Sequence, residues 1–137
     1  MSPDPSKGEA VAKRIVIEVG EVSLTAPLDD SEPAAAVWAA LPLQCAAHRW
    51  GDEVYFEVPV HVDEAPTARE QMAVGELGFW PVGDALCIFF GATPVSRAGE
   101  PRAYSPVNPL GMVEGDATVL RVAGNGDAVR VSRLAPA

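Results

Sequence analysis

Glu53, Tyr55 and Glu57 alternate along "WGDEVYFEV", so one side of a strand would carry two carboxylates flanking a phenol. Turned toward a cleft, such a face can orient a cation or a hydroxyl. A glutamate shielded from water there would take on the raised pKa of a general acid. Turned toward solvent, the same residues only keep the surface charged, and that reading suits Glu57 better than Glu53. Arg69 follows Pro66-Thr67 in a loop. Its guanidinium can fork onto a ligand carboxylate or, in the commoner use, onto Glu53. Rings are concentrated in "GELGFWPVGDALCIFFGATP", where Trp80 and Phe90 could wall an apolar pocket or simply fill a core. Phe79 and Trp80 are neighbours on one strand, so at most one of them points inward. Trp50 is a weaker candidate for the same pocket.

Other chemistries lack their parts. His48 and His61 form neither HxH nor HxxxH, and each lacks an evident partner in the sequence, so metal catalysis is not expected. Cys45 and Cys87 are 42 residues apart in apolar surroundings and read as buried free thiols. The glycines are spread through turns, and no GxGxxG or GxxxxGK[ST] cradle is present. No histidine is placed in a motif that would activate a hydroxyl nucleophile. Nineteen acidic against ten basic residues give a net charge of -9, which disfavours nucleic acid as a partner. The longest apolar run, Ala85 to Phe90, is far shorter than the ~20 residues that span a bilayer, and the N-terminus lacks the pattern of a secretion signal. A cytoplasmic protein without a cofactor is expected.

The elements that must hold these residues are mostly strands. "KRIVIEVGEVSLTAPL" alternates apolar residues on either side of Gly20-Glu21, which suits a hairpin with a II′ turn. "DDSEPAAAVWAALP" predicts a helix capped by Asp30 or Ser31 and stopped by Pro42, with Val37, Trp38 and Leu41 buried. Val54, Phe56, Val58 and Val60 define the inner side of a strand that Pro59 marks as an edge or a bulge. "LGFWPVGDALCIFF" reads as strand, tight turn and strand, the second apolar on both faces and therefore central. In "ATVLRVAGNGDAVRVSRL" the pattern allows either a hairpin around Gly124-Asn125-Gly126 or a short helical turn capped by Asp116. One domain, residues 11–134, fits the length, with flexible tails at 1–10 and 135–137.

"WGDEVYFEVPV", "REQMAVGELGFWPVGDALCIFFGATPVS" and "SPVNPLGMVEG" resemble, in order and spacing, a family of small bacterial and archaeal cyclophilin-like proteins of poorly defined role. The resemblance runs from about Ile15 to Val131 and implies a mainly β fold: a closed eight-stranded antiparallel barrel with one or two short helices. A more distant likeness to true cyclophilins lies in Phe89-Phe90-Gly91, Thr93-Pro94 and Leu110-Gly111-Met112-Val113-Glu114-Gly115. It favours the helical turn near Asp116 to Val122. It also matches Phe90 to the pocket phenylalanine, Val95 to the tryptophan that follows Thr-Pro, and Val107 or Asn108 to the pocket histidine. Thr93, Ser96 and Asn108 then stand around the cleft. The catalytic arginine of that family is expected on the strand matched by "WGDEVYFEV", where the charges are Asp52, Glu53 and Glu57; Arg69 is the cation that can approach from a neighbouring loop.

The expected function is a binding module for a small molecule or a peptide segment that lacks prolyl isomerase activity. Phe90 and Trp80 form its wall, and Glu53, Tyr55, Arg69, Thr93 and Asn108 its polar rim. The alternatives are a prolyl isomerase or another enzyme using the cleft, with Glu53 as acid or base, and an interaction subunit that docks onto a larger enzyme. Homo-oligomerisation is compatible with any of these; nucleic acid and membranes are not expected partners.

Overall fold

The computed structural model describes residues 13–134. The two expected tails, 1–10 and 135–137, lie outside the described residues. The chain begins with the predicted hairpin, β1 (Arg14–Val19) and β2 (Val22–Pro27), paired in register from Arg14↔Pro27 to Val19↔Val22. Gly20 at φ 58 takes the first central position of the turn, as a II′ turn demands. Helix α1 (Glu32–Ala40) follows, with the Ser31 hydroxyl accepting from Ala34 N at 3.2 Å and proline in its first turn. Val37 and Leu41 are buried as expected, but Trp38 is only half-buried. Its ring lies under the Arg133 guanidinium at 4.9 Å and the Lys13 ammonium at 5.8 Å, so it closes an edge of the core.

The remaining strands are β3 (Leu43–Ala46), β4 (His48–Arg49), β5 (Glu53–Glu57), β6 (Arg69–Gln71), β7 (Glu76–Trp80), β8 (Ala85–Phe89), β9 (Arg102–Met112) and β10 (Ala128–Arg133). β5 stops at Glu57 because Pro59 has no N–H to donate to a ladder. A 3-10 helix over Ala117–Val122, capped by the Asp116 carboxylate on Thr118 N, occupies the segment that pattern alone left open.

All strand pairs are antiparallel, but they do not close into the expected eight-stranded barrel. Among the described residues ten strands form two sheets, β2-β1-β10-β3 and β4-β5-β8-β7-β9-β6. Along one seam the sheets touch only through the isolated bridges Leu28↔Gly111 and Thr25↔Glu114. The approach there is close enough that a Cβ on Gly111 would stand 2.3 Å from the Pro27 carbonyl oxygen. On the other side the chain itself crosses from β3 to β4 without a ladder between the sheets.

Between the sheets lies the main core. Ile15, Ile17, Val131, Phe56, Phe79, Leu86 and Ile88 are fully enclosed within it, each worth roughly 1.5–3 kcal/mol of transfer free energy. The far face of the six-stranded sheet carries a second, smaller cluster: Met72, Cys87, Phe89, Ala103 and Val107, with Tyr55 and Trp80 packed against it. This second cluster is why β8 is buried along its whole length. No helix among the described residues is long and apolar enough to cross a membrane.

Candidate functional site

The site grows out of the smaller cluster. Alternation along β5 sends Val54 and Phe56 to the main core and Glu53 and Tyr55 to the opposite face. There Glu53 is opposite Phe89, and Tyr55 opposite Cys87. β7 adds Trp80, the turn before β5 adds Trp50, and β9 adds Ala103, Tyr104 and Val107. Together they line a pocket of about 230 Å³.

Its wall is a series of rings, each set nearly at right angles to the next. Trp50 meets Tyr104 at 6.3 Å and 77°, Tyr104 meets Trp80 at 6.4 Å and 81°, and Trp80 meets Tyr55 at 6.0 Å and 78°. Edge-to-face contacts of this kind are the preferred geometry of aromatic pairs. Trp80 and Tyr55 are also braced from behind. Trp80 Nε1 donates to Ser105 Oγ at 2.6 Å, and Gly83 leaves room for the indole, since a Cβ there would lie 2.4 Å from Trp80 Cζ3. His48 stacks on Tyr55 at 4.9 Å and holds Glu57 at 2.9 Å through Nε2.

Glu53 contributes the carboxyl of the pocket and is only 5% exposed. Burial pushes its pKa up to about 7, with a hydrogen bond from the Cys87 thiol pulling the other way. Burial, then the charge of Glu53, raises the Cys87 thiol well above its ordinary range, so it is no nucleophile at neutral pH. The Tyr55 phenol is raised by burial and by the charges of Glu57 and Glu53.

A β architecture of this topology, with an aromatic slot on the outer face of one sheet, invites comparison with known families. The family model described as cyclophilin-like matches residues 13–132. The chain belongs to the cyclophilin-like family. This cyclophilin-like chain is also similar to a hypothetical protein from Archaeoglobus fulgidus. The solution structure of that protein aligns with a TM-score of 0.77 and 30% sequence identity over 90% of this chain and 96% of that one. No curated protein matches the chain.

Of the seven residues the sequence nominated in this cyclophilin-like chain, three come together in the pocket: Glu53, Tyr55 and Trp80. The other four are placed elsewhere. Phe90 points into the main core, 1% exposed, with the Arg49 guanidinium 5.0 Å above its ring. Its neighbour Phe89 takes the pocket side, one step along the strand and therefore on the other face. Asn108 is fully buried, accepting from Ala65 N at 2.8 Å and donating to Asp63 O at 3.1 Å, while Val107 is the residue that lines the pocket. Thr93 donates to Arg102 O at 2.5 Å and accepts no ligand-facing role, and Ser96 braces the same loop through Thr93 N at 2.8 Å. Arg69 does find an internal acid, but that acid is Glu76. Its Nη1 reaches Glu76 Oε1 at 3.0 Å and its Nη2 holds Oε2.

The two other arginines beside the site are also engaged. Arg49 bonds Asp52 at 3.1 Å and the carbonyls of Arg121, Ala123 and Gly51. Arg102 pairs with Glu100 at 2.9 Å and Glu70 at 3.4 Å. The histidines, which lacked partners in the sequence, have them in the fold: His48 holds Glu57, and His61 lies between Asp84 at 2.5 Å and Asp63 at 2.9 Å. Both cysteines are free, Cys87 buried but Cys45 only half-buried. Among the described residues no group of three or more His, Cys, Asp or Glu could hold a metal.

Sequence reasoning missed Tyr104, Ala103 and Cys87. Cys87 was within reach, because it shares the outward parity of Phe89 on β8. Tyr104 had little signal, since "PRAYSPVNPL" reads as a proline-rich loop.

Proposed function

We propose that this protein is a binding module that holds a small organic ligand or the side chain of a peptide segment against Trp80, Tyr55, Trp50 and Tyr104, with Glu53 orienting it. One observation carries the reading: a buried carboxyl with no ion-pair partner among the described residues opens into a slot walled by rings. Burying such a group without a partner costs free energy, and a structure retains that arrangement where a ligand supplies the missing contact. The pocket is smaller than the ~300–1,000 Å³ of sites for drug-sized compounds. A compact molecule, or one group of a larger molecule, is what it accommodates.

Prolyl isomerisation is disfavoured on chemical grounds. Weakening amide resonance against a barrier of ~18–20 kcal/mol calls for a cation at the peptide. The arginines beside this slot are committed to Glu76, Asp52, Glu100 and backbone carbonyls. A proline-peptide assay is expected to run at the spontaneous rate with the parent chain and with Arg69→Ala alike. Acceleration by the parent that Arg69→Ala abolishes would replace the binding-module reading with an isomerase. A thermal-shift and fluorescence screen of small organic compounds is expected to give hits that Trp80→Ala loses.

A further inference from the structure

We infer that the ligand of this pocket is an organic cation with a methylated ammonium head, seated on the aromatic wall with Glu53 as its counter-ion. The inference rests on the pocket reading above and deepens it by naming the ligand's chemistry.

Elimination carries the first step. An anionic ligand would meet Glu53 at once and Glu57 close behind Tyr55, with no free guanidinium on the lining to receive it. A neutral polar ligand can hydrogen-bond the phenols of Tyr55 and Tyr104, but it brings no charge to offset Glu53. A purely apolar ligand would leave the Glu53 carboxyl with only the Cys87 thiol for a partner in a drier site than before. What remains is a ligand both cationic and greasy.

The wall supplies the second step. Ring faces carry negative quadrupole charge and attract cations, most strongly where water is excluded, and quaternary ammonium groups are recognised in this way by sets of converging rings. Trp50, Tyr104, Trp80 and Tyr55 turn three near-right-angled corners, so the slot is bounded by ring faces and ring edges in several directions. A bare ammonium gives up strong hydration and needs a partner for each of its three N–H donors, so it would sit on the acceptors Glu53, Tyr55 and Tyr104 rather than on the ring faces. A methylated head needs no such partners: its charge is spread over carbon surfaces that pack against rings. The net charge of -9 favours the approach of any cation.

Binding then couples to a proton. The titratable groups that face Glu53 are Tyr55 on its own strand, Cys87 on β8 and Tyr104 on β9; β7 presents the uncharged Trp80. None of the four supplies a positive charge, so the ligand is the cation that draws Glu53 into its ionised form. Affinity should therefore rise with pH up to about 7, where Glu53 ionises unaided, by at most tenfold per unit, and level off above.

The test uses the full chain, with tryptophan fluorescence and methyl NMR shifts as readouts. The probes are choline, its uncharged isostere in which tert-butyl replaces trimethylammonium, ethanolamine, and N-acetyl-trimethyllysine amide. Small uncharged and anionic aromatic acids and amides complete the panel. A methylated ammonium is expected to bind at least tenfold more tightly than the isostere and than ethanolamine. Glu53→Gln should weaken that binding and flatten its pH dependence. Tyr104→Leu, at a position 70% exposed, should weaken it with little change in melting temperature. If choline binds better than the lysine derivative, the ligand is a free small molecule; the reverse order puts the head on a side chain, and either supports the inference. Equal binding of the isostere, or tighter binding of ethanolamine, overturns it. If only uncharged or anionic compounds perturb the rings, the inference falls while the pocket reading stands. If no class does, both fall.

Discussion

Glu53 sets the clearest pH signature at the scale of single residues. Its pKa in the fold, about 7, lies above its ordinary 4.5, so the folded state binds a proton that the unfolded state releases. The sign follows: its contribution is most favourable below 4.5, declines as pH rises from 4.5 toward 7, and is flat above. The full shift corresponds to roughly 3 kcal/mol. Glu53→Gln should therefore be more stable than the parent at pH 8 and similar to it near pH 4, as urea melts at the two pH values would reveal. His61 carries the opposite charge logic. Hydrogen bonds to Asp84 and then Asp63 raise its pKa above the ordinary 6.5, so its contribution is present below that value and lost as pH rises through the raised one. An NMR titration should place its midpoint above 6.5, and Asp84→Asn should bring it down. The carboxylates at Glu53 and Glu57 were visible in the sequence, and so was the bias of Glu57 toward solvent, but the burial of Glu53 was not. One is dried by β8 and β9, elements remote in the chain, packing over it; the other is held low by His48, nine residues away at the sheet edge.

Between elements, the fork from Arg69 on β6 to Glu76 at the start of β7 fixes the rim of the outer cluster. Glu76 is 7% exposed and also accepts from Ala73 N at 2.9 Å. Arg69→Ala strands a buried carboxylate and should lower stability by about 2–4 kcal/mol, with Glu76→Gln partly restoring it in the double variant. Chemical denaturation of the two single variants and the double variant measures this. Local signals were enough for the β1-β2 hairpin, for α1 and for the β7-β8 hairpin, where period, caps and turn residues agree. They failed for β9, which carries Pro106 and Pro109. Its register shifts against both β7 and β6, so its pairing depends on distant partners rather than on its own pattern. The same parity that made Trp80 legible also undid Phe90 and Asn108. A motif match that slides by one residue turns a side chain from the outer face to the core.

For the molecule as a whole, Arg49 stands where the two sheets and the 3-10 helix converge. Its guanidinium spans Asp52, Gly51 O, Arg121 O and Ala123 O while covering Phe90. Arg49→Ala removes charge-assisted bonds to the last carbonyls of that helix and should cost roughly 2–3 kcal/mol, read as a fall in the thermal midpoint with the pocket's ligand absent. The mainly β character and the family were legible from strand spacing and motif order. The division into two sheets in place of the expected closed barrel was not, because the seam between them turns on two isolated bridges at Gly111 and Glu114 that no periodicity encodes.

The pocket rests on the small outer cluster, with the six-stranded sheet between it and the main core. Lining residues such as Tyr104 and Trp50 can therefore be exchanged without disturbing the interior that makes the chain fold. Selection is free to retune the recognition chemistry on a scaffold that stays put, and two relatives with superimposable strands need have no molecule in common that they hold.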